Sequence, residues 1–144
     1  MAIDFTEAER FGETYLSFKD PHGLQLELVE KEAGEANHWM IGDVTSEVAI
    51  KGFAGAVLLS AKPASTAELM EDILGFERVG EEGDFVRLTS YADIGNTIDI
   101  KLTTNGGSQM GVGTIHHIAF RAKDDKDQLD WQGYIANHGY AVTL

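Results

Sequence analysis

The chain has 144 residues and carries 11 Lys and Arg against 24 Asp and Glu, a formal net charge of −13. That length suits one domain or two small modules sharing a core, and a hydrophobic content of 43% suffices to build it. The charge excludes non-specific binding to nucleic acid and docking on an anionic membrane face, and the absence of cysteine excludes disulfides, iron–sulfur clusters and thiolate zinc sites.

The chain opens MAIDFTEAER, an acidic start without an apolar segment, which does not read as a signal peptide. The longest apolar stretch, Phe53 to Leu59, includes a glycine and is too short to span a bilayer. The expectation is a soluble, cytoplasmic protein. Phe11 to Lys19 (FGETYLSFK) reads as a strand, and Asp20-Pro21-His22-Gly23 as a turn. Leu24 to Glu30 alternates, with Leu24, Leu26 and Leu28 on one face and Gln25, Glu27 and Val29 on the other, so residues 11–30 form a hairpin. Lys31 to Glu47 is polar and reads as a linker. His38 and Trp39 lie in it and could cover a pocket.

Lys51 to Ala61 (KGFAGAVLLSA) reads as a buried strand broken by Pro63. Ser65 and Glu68 have capping-box spacing, which places a helix over Thr66 to Leu74 with Leu69, Met70 and Ile73 inward and Gly75 as its stop. Strands are expected at Phe76–Val79, Phe85–Ser90 and Thr97–Leu102. Glu81-Glu82-Gly83-Asp84 then reads as a solvated hairpin loop rather than a metal-binding run. The glycine-rich segment Gly106–Gly113 lacks the Lys-Ser/Thr of a phosphate-binding loop. Thr114–Ala122 (TIHHIAFRA) is expected to be a strand, Asp124–Asn137 a helix stopped by Gly139, and Tyr140–Leu144 the beginning of a further strand.

Two segment pairs repeat in one order. Gly52–Ala61 matches Gly113–Ala122, and Gly23–Val29 matches Gly95–Lys101, which sets Glu27 on Asp99. The unit is βαβββ. Residues 48–105 hold a complete one, residues 1–35 the last strands of another, and residues 112–144 the first strand and helix of a further one. Half-units leave sheet edges exposed, so residues 112–144 are expected to pair with 1–35, within one chain or by exchange in a homodimer.

His117 alternates with His116 on its expected strand, and by itself it reads as a half-buried histidine bonded to a carbonyl. Glu27, turned away from the leucines, reads by itself as a solvated strand carboxylate. His22 in its turn and His138 at a helix end read as structural or exposed. Tyr15 reads as sheet packing before it reads as a proton donor. No Ser/His/Asp set has a supporting elbow.

Asp20-Pro21-His22-Gly23 with Leu26-Glu27-Leu28, then Leu74-Gly75-Phe76, then Ile115-His116-His117-Ile118-Ala119-Phe120 together resemble the vicinal oxygen chelate superfamily of glyoxalases, bleomycin-resistance proteins and extradiol dioxygenases. AERFGETYLSF, VAIKGFAGAVLLSA and QLDWQ narrow the resemblance to the central part of a four-module, hydroquinone-type ring-cleaving dioxygenase. Full members are about twice this length, so residues 5–30 would end module two, 48–105 would be module three and 112–144 would start module four.

The resemblance implies an α+β fold of βαβββ modules with cupped mixed sheets, here in the order βββ-βαβββ-βα. It implies a divalent metal, Fe(II) or Mn(II) before Zn(II), and a small aromatic substrate or ligand. His117 matches the first-strand ligand and Glu27 the last-strand carboxylate. In the central unit Asp99 is the equivalent carboxylate, and Ala56 stands where a histidine would be. The implied function is metal-dependent extradiol cleavage of a hydroquinone or catechol, with little activity in a chain of this extent. A non-catalytic aromatic-binding module of bleomycin-resistance type and a glyoxalase-like isomerase or lyase with Glu27 as base are the alternatives.

Overall fold

In the computed structural model residues 4–103 and 111–143 are described. The chain divides into two units, Met1–Thr114 and Ile115–Leu144.

The first unit holds two sheets. Strands β1 (Phe5–Arg10), β2 (Glu13–Lys19) and β3 (Gln25–Val29) form an antiparallel meander in the order β1-β2-β3. The turn between β1 and β2 has two central residues, Phe11 and Gly12, both at positive φ (52° and 71°), the mirror-image turn that suits the twist of a hairpin. This turn divides the segment that the sequence joins into one strand from Phe11 onward. The strand preceding it, FTEAER, is missed because its outward residues are almost all polar and no apolar alternation marks it. Asp20 closes the β2–β3 turn, its Oδ1 accepting the backbone N–H groups of His22 and Leu24 at 2.8 Å.

The second sheet is a βαβββ unit: β4 (Gly55–Leu59), α1 (Pro63–Asp72), β5 (Glu77–Glu82), β6 (Phe85–Thr89) and β7 (Thr97–Lys101), in the order β4-β7-β6-β5. β4 runs parallel to β7, and the other pairs are antiparallel. Gly55 is fixed by this pairing: a Cβ there would lie 2.1 Å from the carbonyl oxygen of Thr97. The α+β fold and the complete central unit follow the expectation.

α1 packs on β6 and β7. Ala67 and Met70 of the helix, with Phe76, Val86, Leu88, Ile98 and Ile100, make the buried apolar core. Period-two alternation then fixes what lies on the reverse of the sheet. Between Val86 and Leu88 stands Arg87, and between Ile98 and Ile100 stands Asp99; both are buried. The sheet thus has an apolar face under α1 and a charged, buried face away from it.

Several local expectations are corrected. Pro63 starts α1 instead of ending the preceding strand, because a missing N–H costs nothing in the first turn. Lys62 is the N-cap, without a side-chain bond, so the Ser65–Glu68 capping box does not form. β4 is an edge strand, with Val57 and Leu59 exposed, rather than a buried one. β5 extends to Glu82, so Glu81 and Glu82 belong to a strand and the turn is at Gly83-Asp84.

In the second unit α2 (Asp125–Asn137) begins at Asp124, whose side chain accepts the Asp127 N–H at 2.9 Å while Asp127 accepts that of Lys123. Gly139, at φ 85°, follows the end of the helix as expected. None of its residues is buried. Residues 115–120 and 141–143 have no regular secondary structure, where strands were expected; a strand exists only through a ladder to a neighbour. Most of the glycine-rich segment 106–113 lies outside the described residues. Among the described residues no helix is long and apolar enough to cross a membrane.

Candidate functional site

The charged face of β6 and β7 is met by Arg10 at the end of β1 and by Glu13 at the start of β2. Arg10, the last residue of β1, is buried. Its Nε donates to Asp99 Oδ2 at 2.7 Å, and its Nη2 and Nη1 donate to the two oxygens of Glu27 at 2.6 and 3.3 Å. Arg87 grips Asp99 from the neighbouring strand, Nε to Oδ1 at 2.7 Å and Nη2 to Oδ2 at 2.9 Å. The Arg87 Nη1 donates to Glu13 Oε2 at 2.5 Å, and Lys31 Nζ donates to the other oxygen of Glu13 at 2.5 Å. The result is a chain of alternating sign: Glu27, Arg10, Asp99, Arg87, Glu13, Lys31.

Aromatic rings sit on both guanidinium groups. Tyr15 and Phe85 each lie 4.8 Å from that of Arg10, and Phe11 lies 4.4 Å from that of Arg87. Among the described residues no buried side-chain nitrogen or oxygen lacks a hydrogen-bond partner. Burial pulls the pKa of Arg10 down, but its hydrogen bond and charge contact with Glu27 and the nearby Asp99 outweigh this and raise it. Arg87 is raised in the same way, burial being outweighed by Asp99 and Glu13. For Glu13 burial acts upward, and the bonds from Lys31 and Arg87 outweigh it and hold the carboxyl below its usual value.

Glu27 and Asp99, which the repeat sets in register, do meet at one site, joined by Arg10. Neither is a solvated carboxylate, and Glu27 does not present a free oxygen pair. A divalent ion on Glu27 does not fit this arrangement: its place on both oxygens is taken by a guanidinium, itself buried. Among the described residues no three His, Asp or Glu side chains are gathered as a metal would need.

His117 lies in the second unit. It is exposed, as is His116, and their Nδ1 atoms are 3.1 Å apart with the rings edge to face. The expectation that one faces in and the other out is not met, because the segment is not a strand. Tyr15 stacks on Arg10, as sheet packing would have it. Trp39 is exposed, its backbone N–H donating to Asn37 Oδ1, and His22 and His138 are exposed at a turn and at a helix end. Arg10, Arg87, Glu13 and Lys31 were missed. A signal existed for Arg87: an arginine inside Val-Arg-Leu and an aspartate inside Ile-Asp-Ile, on strands joined by a hairpin, are opposite charges in two apolar runs.

No family model matches the chain. It is 65% identical over 141 residues to the "Putative ring-cleaving dioxygenase MhqO" of Bacillus subtilis, covering 98% of this chain and 45% of that protein. It is 27% identical over 122 residues to the "Chlorohydroquinone/hydroquinone 1,2-dioxygenase" of Sphingobium indicum, covering 81% of this chain and 38% of the relative. A crystal structure described as a putative dioxygenase from Bacillus subtilis matches with a TM-score of 0.95 at 65% identity, over 99% of this chain and 46% of that one. The chain therefore spans less than half the length of the proteins it matches, and over that span it is a relative of proteins named as ring-cleaving dioxygenases.

Proposed function

We propose that this chain is one part of a metal-dependent dioxygenase that cleaves the ring of a hydroquinone- or catechol-like aromatic. The observation that carries the reading is 65% identity across 98% of the chain to a protein named for ring cleavage. The likeness to a protein named for chlorohydroquinone and hydroquinone supports the substrate class. In this reading the chain supplies His117, an exposed imidazole, to a divalent metal such as Fe(II) or Mn(II). The first unit supplies the scaffold: its buried charges hold two sheets in fixed register, which a site assembled from several modules requires.

The test is oxygen consumption with 2-methylhydroquinone and with catechol after anaerobic loading with Fe(II). The chain by itself is expected to turn over at least roughly a hundredfold more slowly than a full-length relative, since losing a metal ligand costs no less than losing an outer-shell partner. Turnover near about 10 per second, a typical enzyme value, would refute the view that it is only a part of the active unit.

A further inference from the structure

We infer that Glu27 and Asp99 are held by arginine in place of a metal, so that the array on the inner face of the first unit is a fastening between its two sheets and not a ligand set. This departs from the expectation for Glu27 that the family resemblance implies. It stands independently of the ring-cleaving reading and leaves His117 untouched.

Three observations lead there. Both oxygens of Glu27 and both of Asp99 already accept from guanidinium N–H groups, at 2.6–3.3 Å and 2.7–2.9 Å. These are charge-assisted forks whose planar geometry suits a guanidinium. The array is also neutral: Arg10, Arg87 and Lys31 balance Glu27, Asp99 and Glu13. A dication on Glu27 would add two positive charges beside two buried cations, or would have to displace Arg10 from Glu27 and leave both its Nη groups buried without their carboxylate. Finally, Tyr15 and Phe85 on Arg10 and Phe11 on Arg87 back the guanidiniums with ring faces, which select for a cation at those places but not for a metal bound to the carboxylates.

The repeat gives the inference its reach. Glu27 and Asp99 occupy the same position in two copies of the unit, and both are taken by arginine. The three-stranded meander and the complete βαβββ unit of the first unit therefore have no metal at their last-strand carboxylates, and the ligands of any metal must be sought elsewhere.

The experiment compares thermal unfolding of the wild-type chain and of Glu27→Gln, each in chelator and each with saturating Mn(II) as the probe. The fastening predicts that Glu27→Gln lowers Tm by roughly 4 °C or more, and by the same amount with and without manganese. An unchanged Tm in chelator would overturn it. So would a loss in the variant that is larger with manganese than without, because Glu27 would then be holding the ion. Arg10→Lys keeps the charge and removes the fork, and serves if Glu27→Gln does not fold. Its drop is expected to be equal in the two conditions, and a fold regained on adding manganese would overturn the inference.

Discussion

The hairpins β2–β3 and β6–β7 are the same piece of the repeat, yet they satisfy their carboxylates differently. In β6–β7 the residue directly across from Asp99 is Arg87, and the fork closes within the hairpin. In β2–β3 the residue directly across from Glu27 is Ser17, which bonds to Gln25 instead. Glu27 must then find its cation outside the hairpin, at the end of β1, and the same Arg10 reaches on to Asp99. One hairpin is electrostatically self-sufficient, and the other depends on a neighbour. That dependence supplies one tie between the two sheets, since the arginine that completes the weaker hairpin is also bonded to the stronger one, and the Arg87–Glu13 pair supplies a second. The difference between Ser17 and Arg87 at one cross-strand position thus goes with a continuous chain of charges in place of two separate pairs.

Substitution at that one position separates the two most sharply. Arg87→Ala removes a partner from Asp99, which is only 3% exposed, and from Glu13. It is expected to cost about 3–5 kcal/mol, the range for orphaning one member of a buried pair. Ser17→Ala, at the equivalent place, is expected to stay within about 0.5 kcal/mol. Urea unfolding of the two variants makes the comparison, and equal losses would break it.

A smaller effect should appear with pH. Glu13 has a folded-state pKa below the ordinary glutamate value of 4.5 that applies unfolded. Its contribution is therefore complete above about pH 4.5, and it is lost as pH falls from there through the lower folded value. Glu13→Gln should flatten the fall in urea midpoint over that window. A variant whose acid profile superimposes on wild type would place the sensitivity in other carboxylates.

Much of the fold is legible in the sequence. The strand and helix order from residue 55 to 101 follows from apolar periodicity and from the glycine after each helix, and the repeat predicts that Glu27 and Asp99 are equivalent. What fails is physical rather than accidental. Thr114–Ala122 has the composition of a strand, but a strand requires a neighbour and composition does not supply one. FTEAER looks unstructured because its value lies in Arg10 at its end, whose partner Asp99 is 89 residues away. The Arg87–Glu13 bond spans 74 residues. Pairings at such separations leave no local pattern. The internal repeat is the one long-range signal the chain contains, and it reveals the acids but not the bases that answer them.

The neutrality of the inner array has a consequence for how the chain meets its solvent. Since those charges cancel, the whole formal excess of −13 is carried by the rest of the molecule. Dissolved salt then acts on two populations in different ways. It screens the mutual repulsion of the outer carboxylates, which lie within or near a Debye length of one another, and it scarcely reaches the pairs between the sheets. Raising sodium chloride from about 0.01 to 0.1 M, which shortens that length from about 30 to 10 Å, should make this protein harder to unfold, although an interior ion-pair chain is among the things that hold it together.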